Sequence, residues 1–431
     1  MQQAHSSSRS IDNWSFACHL AASGQGTLVL VQREQGKTLV TPVESAPATG
    51  LDEPRRPVLI GMQDERTVLV MDPVSQQVQR LSRLPVDTRP DYAYLDTEGG
   101  MYWLVNDGDK ESGADALTCE NSGSPVTAIM PSAEHGANIL KTICVGRGHH
   151  VTIFTAPSAQ APQVPRRAFS SNLLDGTISV IGNDPEDTAT YLKVLATLNL
   201  CDERREDGKQ DAVPNNAFPH GMAYSPLTGK VYNMNNGYGT VAVIDPITNH
   251  IDTTVAMKTS SNLLLSPDGR FLIGKGADRK SDADHVIGRL SVMDAVNNTL
   301  AKVIDLPDVY PSVYRFSADG GKLYVTTAAT GKGKQKENLK LKSLLVFDSS
   351  TLPELRLIKE VPVGIADCGR RPIAFISQGD GEGLIFVPNP TDGTLSILDT
   401  ATDSVTETVS LGAANLKEVS FSFWRGLSYG G

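Results

Sequence analysis

Four stretches in the second half of this chain repeat one pattern. The first, PHGMAYSPLTGKVYNMNNGYGTVAVIDPITNHIDTTVAM, runs from Pro219 to Met257. Its echoes are SSNLLLSPDGRFLIG…GRLSVMDAVNNTLAKVI, YPSVYRFSADGGKLYVTTA…SLLVFDSSTLPELRLIK and RRPIAFISQGDGEGLIFVPNPTDGTLSILDTATDSVTETV. Each copy holds four short apolar or alternating runs bounded by turn residues, the pattern of β-strands. Gly229, Gly269, Gly320 and Gly381 stand between the first and second runs, where the turn calls for positive φ. Asp245, Asp294, Asp348 and Asp399 close the third run, with carboxylates short enough to accept turn N–H groups. Four strands per unit at a period of about 40 residues is the pattern of propeller blades, so the chain reads as an all-β propeller.

The repeat decides a question that length leaves open. A chain of 431 residues suggests two or three domains, but blades bury their faces only against one another, so a closed ring is one domain. Residues 1–26 read as an N-terminal extension and 27–431 as the propeller. Upstream of the clear repeats, His135 to Leu198 reads as a blade whose innermost strand is HGANILKTICVG, and Arg89 to Met130 reads as another. Arg56 to Leu81 supplies three strands and no innermost one. The terminal run LKEVSFSFWRG (Leu416 to Gly426) is a candidate for the missing strand, and pairing it there closes the ring. The count is seven blades, with the hairpin Thr27 to Val43 as either a partial eighth blade or an extra strand on the seam.

The net charge of −10 argues against a general nucleic-acid binder. No run approaches the roughly 20 apolar residues of a membrane span. The start MQQAHSSSRSIDNW has neither the basic n-region nor the apolar core of a secretory signal, so the chain reads as mature or truncated secreted, or as cytoplasmic. Of the five cysteines, Cys119 with Cys144 and Cys201 with Cys368 fall on common rims and can form two disulfides, leaving Cys18 free. Such bonds imply a periplasmic or secreted protein.

The repeats from about Pro219 to Leu411 resemble the YVTN-type propellers of bacterial secreted and surface proteins. That resemblance implies the architecture and leaves function open, because the fold hosts binding modules, lactonases, lyases and redox enzymes.

Residues that begin innermost strands converge on the channel mouth. Aligning Ser225, Ser266 and Ser317 sets His220 at this position, opposite Ser261 and Ser312, and the shared His-Gly dipeptide sets His135 there too. Two imidazoles from adjacent blades can share a metal ion. His285, in a second-to-third-strand loop on the same rim, is a third ligand candidate, with Asp91 and Tyr310 weaker ones. The phrase FPHGMAY and the pair His149–His150 are similar to copper-binding propellers of the nitrous oxide reductase and thiocyanate dehydrogenase type, and that likeness favours copper as the metal. His149 and His150 themselves read as the start of a second strand, with no metal role.

Opposite the histidines, Arg370, Arg371, Lys417 and Tyr310 give the mouth cationic and hydroxyl groups suited to a small anion, which Arg can grip bidentately. The five lysines of GKGKQKENLKLK (Gly331 to Lys342) offer the Lys332 to Lys342 segment as a dock for an acidic protein partner. CDERREDGKQDAVPNN (Cys201 to Asn216) reads as a polar lid or an ordinary linker. No haem-attachment motif, phosphate loop or nucleophile elbow is present in the sequence. The readings that follow are a metal-dependent oxidoreductase acting on a small anion, a metal-free lactonase or lyase using a mouth histidine as base, and a non-catalytic binding or scaffold propeller.

Overall fold

The computed structural model describes residues 14–22, 25–43, 58–62, 67–71, 78–81, 90–96, 98–106, 119, 123–132, 136–376, 382–421 and 427–430. These form eight antiparallel sheets, seven of four or five strands and one of three. The first full blade comprises Ser15–Ala22, Gln25–Glu34 and Lys37–Pro42, completed on its channel side by Glu418–Phe421. The second runs from Pro90–Asp96 to Gly136–Val145, the third from His149–Thr155 to Val194–Asn199, and the fourth from Pro219–Ser225 to His250–Ala256. The fifth runs from Asn262–Leu265 to Thr299–Pro307, the sixth from Pro311–Phe316 to Glu354–Pro362, and the seventh from Ile373–Ile376 to Ser404–Ser410. This is the expected all-β propeller.

The closing strand pairs differently from expectation. Cys18↔Phe421 to Ala21↔Glu418 joins it to Ser15–Ala22, so the Thr27 to Val43 hairpin belongs to the blade that the chain end completes. The boundary after residue 26 moves accordingly, because Ser15–Ala22 lies inside the ring. The Arg56 to Leu81 segment holds a separate three-stranded sheet (Val58–Met62, Thr67–Met71, Val78–Leu81) packed beside the second blade, and does not take the closing strand. The seventh blade has a fifth strand, Leu427–Gly430, on the channel edge of Ile373–Ile376.

A second correction concerns the segment after residue 135. Gly136–Val145 is the outermost strand of the second blade, and His149–Thr155 is the innermost strand of the third. Asn138, Leu140 and Lys141 are exposed while Ile143 and Val145 are buried, as suits an outer strand.

Local chemistry explains the repeated turns. Gly229, Gly269 and Gly320 have φ of 66°, 74° and 72°. Gly381 lies outside the described residues, and Gly383 carries the positive φ of its turn. Asp245 accepts from the N–H groups of Ile247 (2.7 Å) and Thr248 (3.0 Å), and Asp294 from those of Val296 (2.9 Å) and Asn297 (3.0 Å). Asp348 and Asp399 each accept from the N–H two residues on.

The core sits between blades. Between the first and seventh, Trp14, Phe16, Val419 and Phe421 pack against Phe386 and Ile397, with the Phe16 and Phe386 rings 4.6 Å apart edge to face. Burying each such side chain contributes about 1.5–3 kcal/mol. Cys119 and Cys144 form the expected disulfide, although Cys144 ends an outer strand rather than an inner one. Cys201 and Cys368 are not bonded to each other: their thiols donate to the carbonyls of Lys209 and Arg370. Cys18 is free and buried.

Candidate functional site

Innermost strands start on the rim reached by the blade-to-blade connections, and that rim is the channel mouth. In the fourth blade the ladder skips a residue between Pro219↔Asn235 and Gly221↔Met234, and His220 occupies this bulge. Matching irregularities lie between Pro90 and Tyr92, between His149 and Thr152, and between Pro311 and Tyr314. The residues sharing His220's position are therefore Asp91 in the second blade, the His150–Val151 pair in the third and Ser312–Val313 in the sixth. His135 lies outside the described residues. The strand that follows, Gly136–Val145, is an outer strand starting from the opposite rim. His149–His150 begins an innermost strand at the mouth, not a second strand.

His285 is on the mouth rim as expected. Its exposed ring places Nδ1 2.8 Å from Asp308 Oδ1, and that hydrogen bond, then the carboxylate's charge, raises its pKa. Among the described residues no three His, Cys, Asp or Glu side chains gather as a metal ion would need.

The two arginines separate. Arg371 is fully buried between the sixth and seventh blades. Its guanidinium donates to the carbonyls of Pro388 (2.8 Å), Gly364 (2.8 Å) and Leu341 (3.3 Å) and to the Asn389 side chain, while its N–H reaches Ser312 Oγ at 2.7 Å. Burial pulls its pKa down to about 10. These bonds fasten blade to blade, so Arg371 is not placed to clamp a ligand in the channel. Arg370 is half-buried at the mouth, its Nη1 3.8 Å from Glu418 Oε1 at the start of the closing strand. Tyr310 carries the Arg279 guanidinium over its ring at 5.8 Å, just before the sixth blade's first strand.

A residue the sequence reading passed over completes this cationic side. Lys275 lies within the second strand of the fifth blade, Phe271–Asp278, paired with Asn262 and Leu290. A Cβ on Gly274 would meet Met257 Sδ at 2.5 Å, and one on Gly276 would meet the Thr259 carbonyl oxygen at 2.0 Å. The glycines on either side thus let the fourth-to-fifth-blade connection press against one face of the strand. Alternation sends Lys275 to the other face. There its Nζ lies 5.7 Å from the centre of the Tyr314 ring, whose hydroxyl donates to the Ile273 carbonyl at 2.7 Å. Lys275 keeps some exposure, yet its amine is surrounded by protein, and burial first and the charge of Arg370 second lower its pKa to about 8. Among the described residues its ammonium makes no hydrogen bond or ion pair.

One signal could have found it. In the third, fourth and seventh blades the second strand ends on Asn172, Asn235 and Asn389, whose amides donate to Thr177, Thr240 and Thr394 on the third strand. The fifth blade puts Lys275 opposite Leu290 instead, so the side chain has no such partner there and turns elsewhere.

The lysine-rich loop folds onto the protein itself. A short helix, α1 (Lys334–Asn338), docks on the 279–285 loop through Gln335 Nε2, which donates to the Asp282 carbonyl (2.6 Å) and the Arg279 carbonyl (3.2 Å). Lys336 pairs with Asp367 at 2.7 Å and Lys340 with Glu360 at 3.1 Å. The 201–216 segment caps a cleft of about 340 Å³ beside the outer strands of the fourth blade, off the channel axis. Tyr238 fastens this cap, its hydroxyl 2.6 Å from Glu206 Oε1.

No family model and no curated protein matches the sequence. Solved structures match its fold. The dihydro-heme d1 dehydrogenase NirN, in complex with DHE, has a TM-score of 0.55 at 12% identity, over 86% of this chain and 67% of its own. A functionally unknown protein of Desulfotomaculum acetoxidans DSM 771 has 0.53 at 12%, over 85% and 99%. A candidate 6-phosphogluconolactonase of Bacteroides uniformis ATCC 8492 has 0.52 at 14%, over 85% and 99%. At these identities the likeness is one of propeller fold.

Proposed function

We propose that this propeller binds a small anion, a carboxylate or phosphate ester, at its channel mouth, with Lys275 and Arg370 as the cationic contacts. The carrying observation is the Lys275 ammonium, which is surrounded by protein and has no acidic partner among the described residues, although Arg370 is near enough to lower its pKa. Two neighbouring cations in a partly desolvated site repel each other, and an anion between them relieves that repulsion. Glu418, 3.8 Å from Arg370, is the acid that the site supplies itself.

A propeller enzyme of lactonase or lyase type fits this arrangement, with His220 as base and Arg370 stabilising a developing carboxylate or enolate. The candidate lactonase among the structural neighbours supports testing a phosphorylated sugar acid. The Cys119–Cys144 disulfide supports a periplasmic or secreted setting. The redox alternative, with copper, has His220 and His285 as its described imidazoles, and metal analysis of protein purified without a chelating column tests it.

Calorimetry with 6-phosphogluconate and inorganic phosphate tests the anion site. Binding at pH 7 should weaken at least tenfold in Lys275→Met and in Arg370→Met, and should fade in the wild type above about pH 8 as the amine loses its proton. Equal affinity in all three proteins would rule the site out.

A further inference from the structure

We infer that the strand Leu427–Gly430 is a displaceable strap, one that occupies the channel beside Arg370 and gives way when an anion binds at the mouth. This rests on the anion site proposed above and adds its regulation. A propeller blade is complete at four strands, and among the described residues six of the seven full blades have four. In the seventh, Leu427–Gly430 adds a fifth to the channel edge of the innermost strand, in the register Ile373↔Gly430 to Ile376↔Leu427. Paired strands lie about 4.8 Å apart, so this backbone stands inside the ring, in space that the other blades leave to the channel. It also comes within 8 Å, Cα to Cα, of Pro311–Phe316, the innermost strand of the sixth blade.

Ile373–Ile376 starts at the mouth, so its antiparallel neighbour runs outward from the channel interior and reaches the mouth at Gly430. Arg370 stands just before Ile373 in the chain, and Tyr310 just before Pro311. The strap therefore emerges between the entrances of the sixth and seventh blades, where an anion must pass to reach Arg370. Its hold is light. The ladder fastens it along one edge, and the other edge pairs with no strand among the described residues. Gly430 within it and Gly426 before it supply conformational freedom that weakens a strand. The closing strand Glu418–Phe421 is as short, but Val419 and Phe421 anchor it in the seam core. A short strand held along one edge opens at lower cost than the blades it rests on. The apparent affinity of the mouth is then its open-state affinity multiplied by the fraction of molecules with the strap released.

The test compares the full chain with a variant ended after Gly426, which keeps the closing strand, and with Ser428→Pro and Tyr429→Pro. Calorimetry at pH 7 should give at least fivefold tighter binding of 6-phosphogluconate to the shortened chain. Successive N–H groups along a strand point to opposite sides, so one of the two prolines deletes a bond to Ile373–Ile376 and the other does not. The first should reproduce the gain, and the second should bind as the full chain does. In hydrogen exchange on the full chain, 6-phosphogluconate should strip protection from the paired amides of residues 427–430. Protection that survives saturation with 6-phosphogluconate overturns the strap, as does a gain that neither proline reproduces. If the full and shortened chains bind equally and Lys275→Met weakens both, the strap falls and the anion site stands; if neither chain binds, both fall.

Discussion

Lys275 pits function against stability. Its folded pKa of about 8 lies below the unfolded value of 10.5, so folding disfavours the charged form. At pH 7 the charge is present in both states and the native state carries the whole penalty. Between about pH 8 and 10.5 the unfolded chain holds more protons, so this residue makes stability rise with pH through that window. Lys275→Met should therefore unfold at a higher temperature than the wild type at pH 7, by the equivalent of about 1–3 kcal/mol, with the gap narrowing towards pH 10. Melting curves across that range check the sign, and a variant less stable than wild type at pH 7 contradicts it. His285 runs the other way. Its hydrogen bond to Asp308 raises the folded pKa above 6.5, so the stabilisation is complete below 6.5 and is lost as pH rises through the folded value. An NMR titration of the His285 ring should give a midpoint above 6.5 that returns close to 6.5 in Asp308→Asn.

At the scale of strands and turns, what could be read in advance was what neighbours in sequence decide. Asp245 and Asp294 accept from N–H groups two and three residues ahead, and Gly229 needs its backbone conformation whatever surrounds it, so those assignments hold. The strand before Cys144 defeated the reading because an outer strand and an innermost strand share one alternation, and only pairing to Ser124–Ser132 tells them apart. Taking that strand as innermost makes His149–His150 the start of a second strand, whereas His149–Thr155 is itself the innermost strand of the third blade. Arg371 was misjudged for a similar reason: adjacent arginines look alike in sequence, but Pro388, Gly364 and Asn389 from folded neighbours enclose one of them. Lys275 escaped notice because its environment belongs to Tyr314 and Arg370, far along the chain.

For the whole molecule, ring closure couples these local features to one another. The mouth faces converge only if the first and seventh blades are held together, and that join depends on a four-residue strand arriving from the far end of the chain. Val419 and Phe421 are 1% and 6% exposed within it, and the Phe421 ring lies 5.7 Å from that of Phe16. Removing a buried phenylalanine side chain costs about 3–5 kcal/mol, and here the loss falls on the seam that closes the circle. Phe421→Ala should lower the melting temperature by several degrees. Truncation after Lys417 should lower it further and, by leaving Ser15–Ala22 as an open strand edge, drive self-association detectable by light scattering. Because Arg370 meets Glu418 across this same seam, the truncated protein should also lose affinity for 6-phosphogluconate, whereas Phe421→Ala should keep it below its melting point. If truncation leaves both melting and association unchanged, the ring is not closed by this strand, and the convergence of Arg370 with the closing strand at the mouth loses its structural basis.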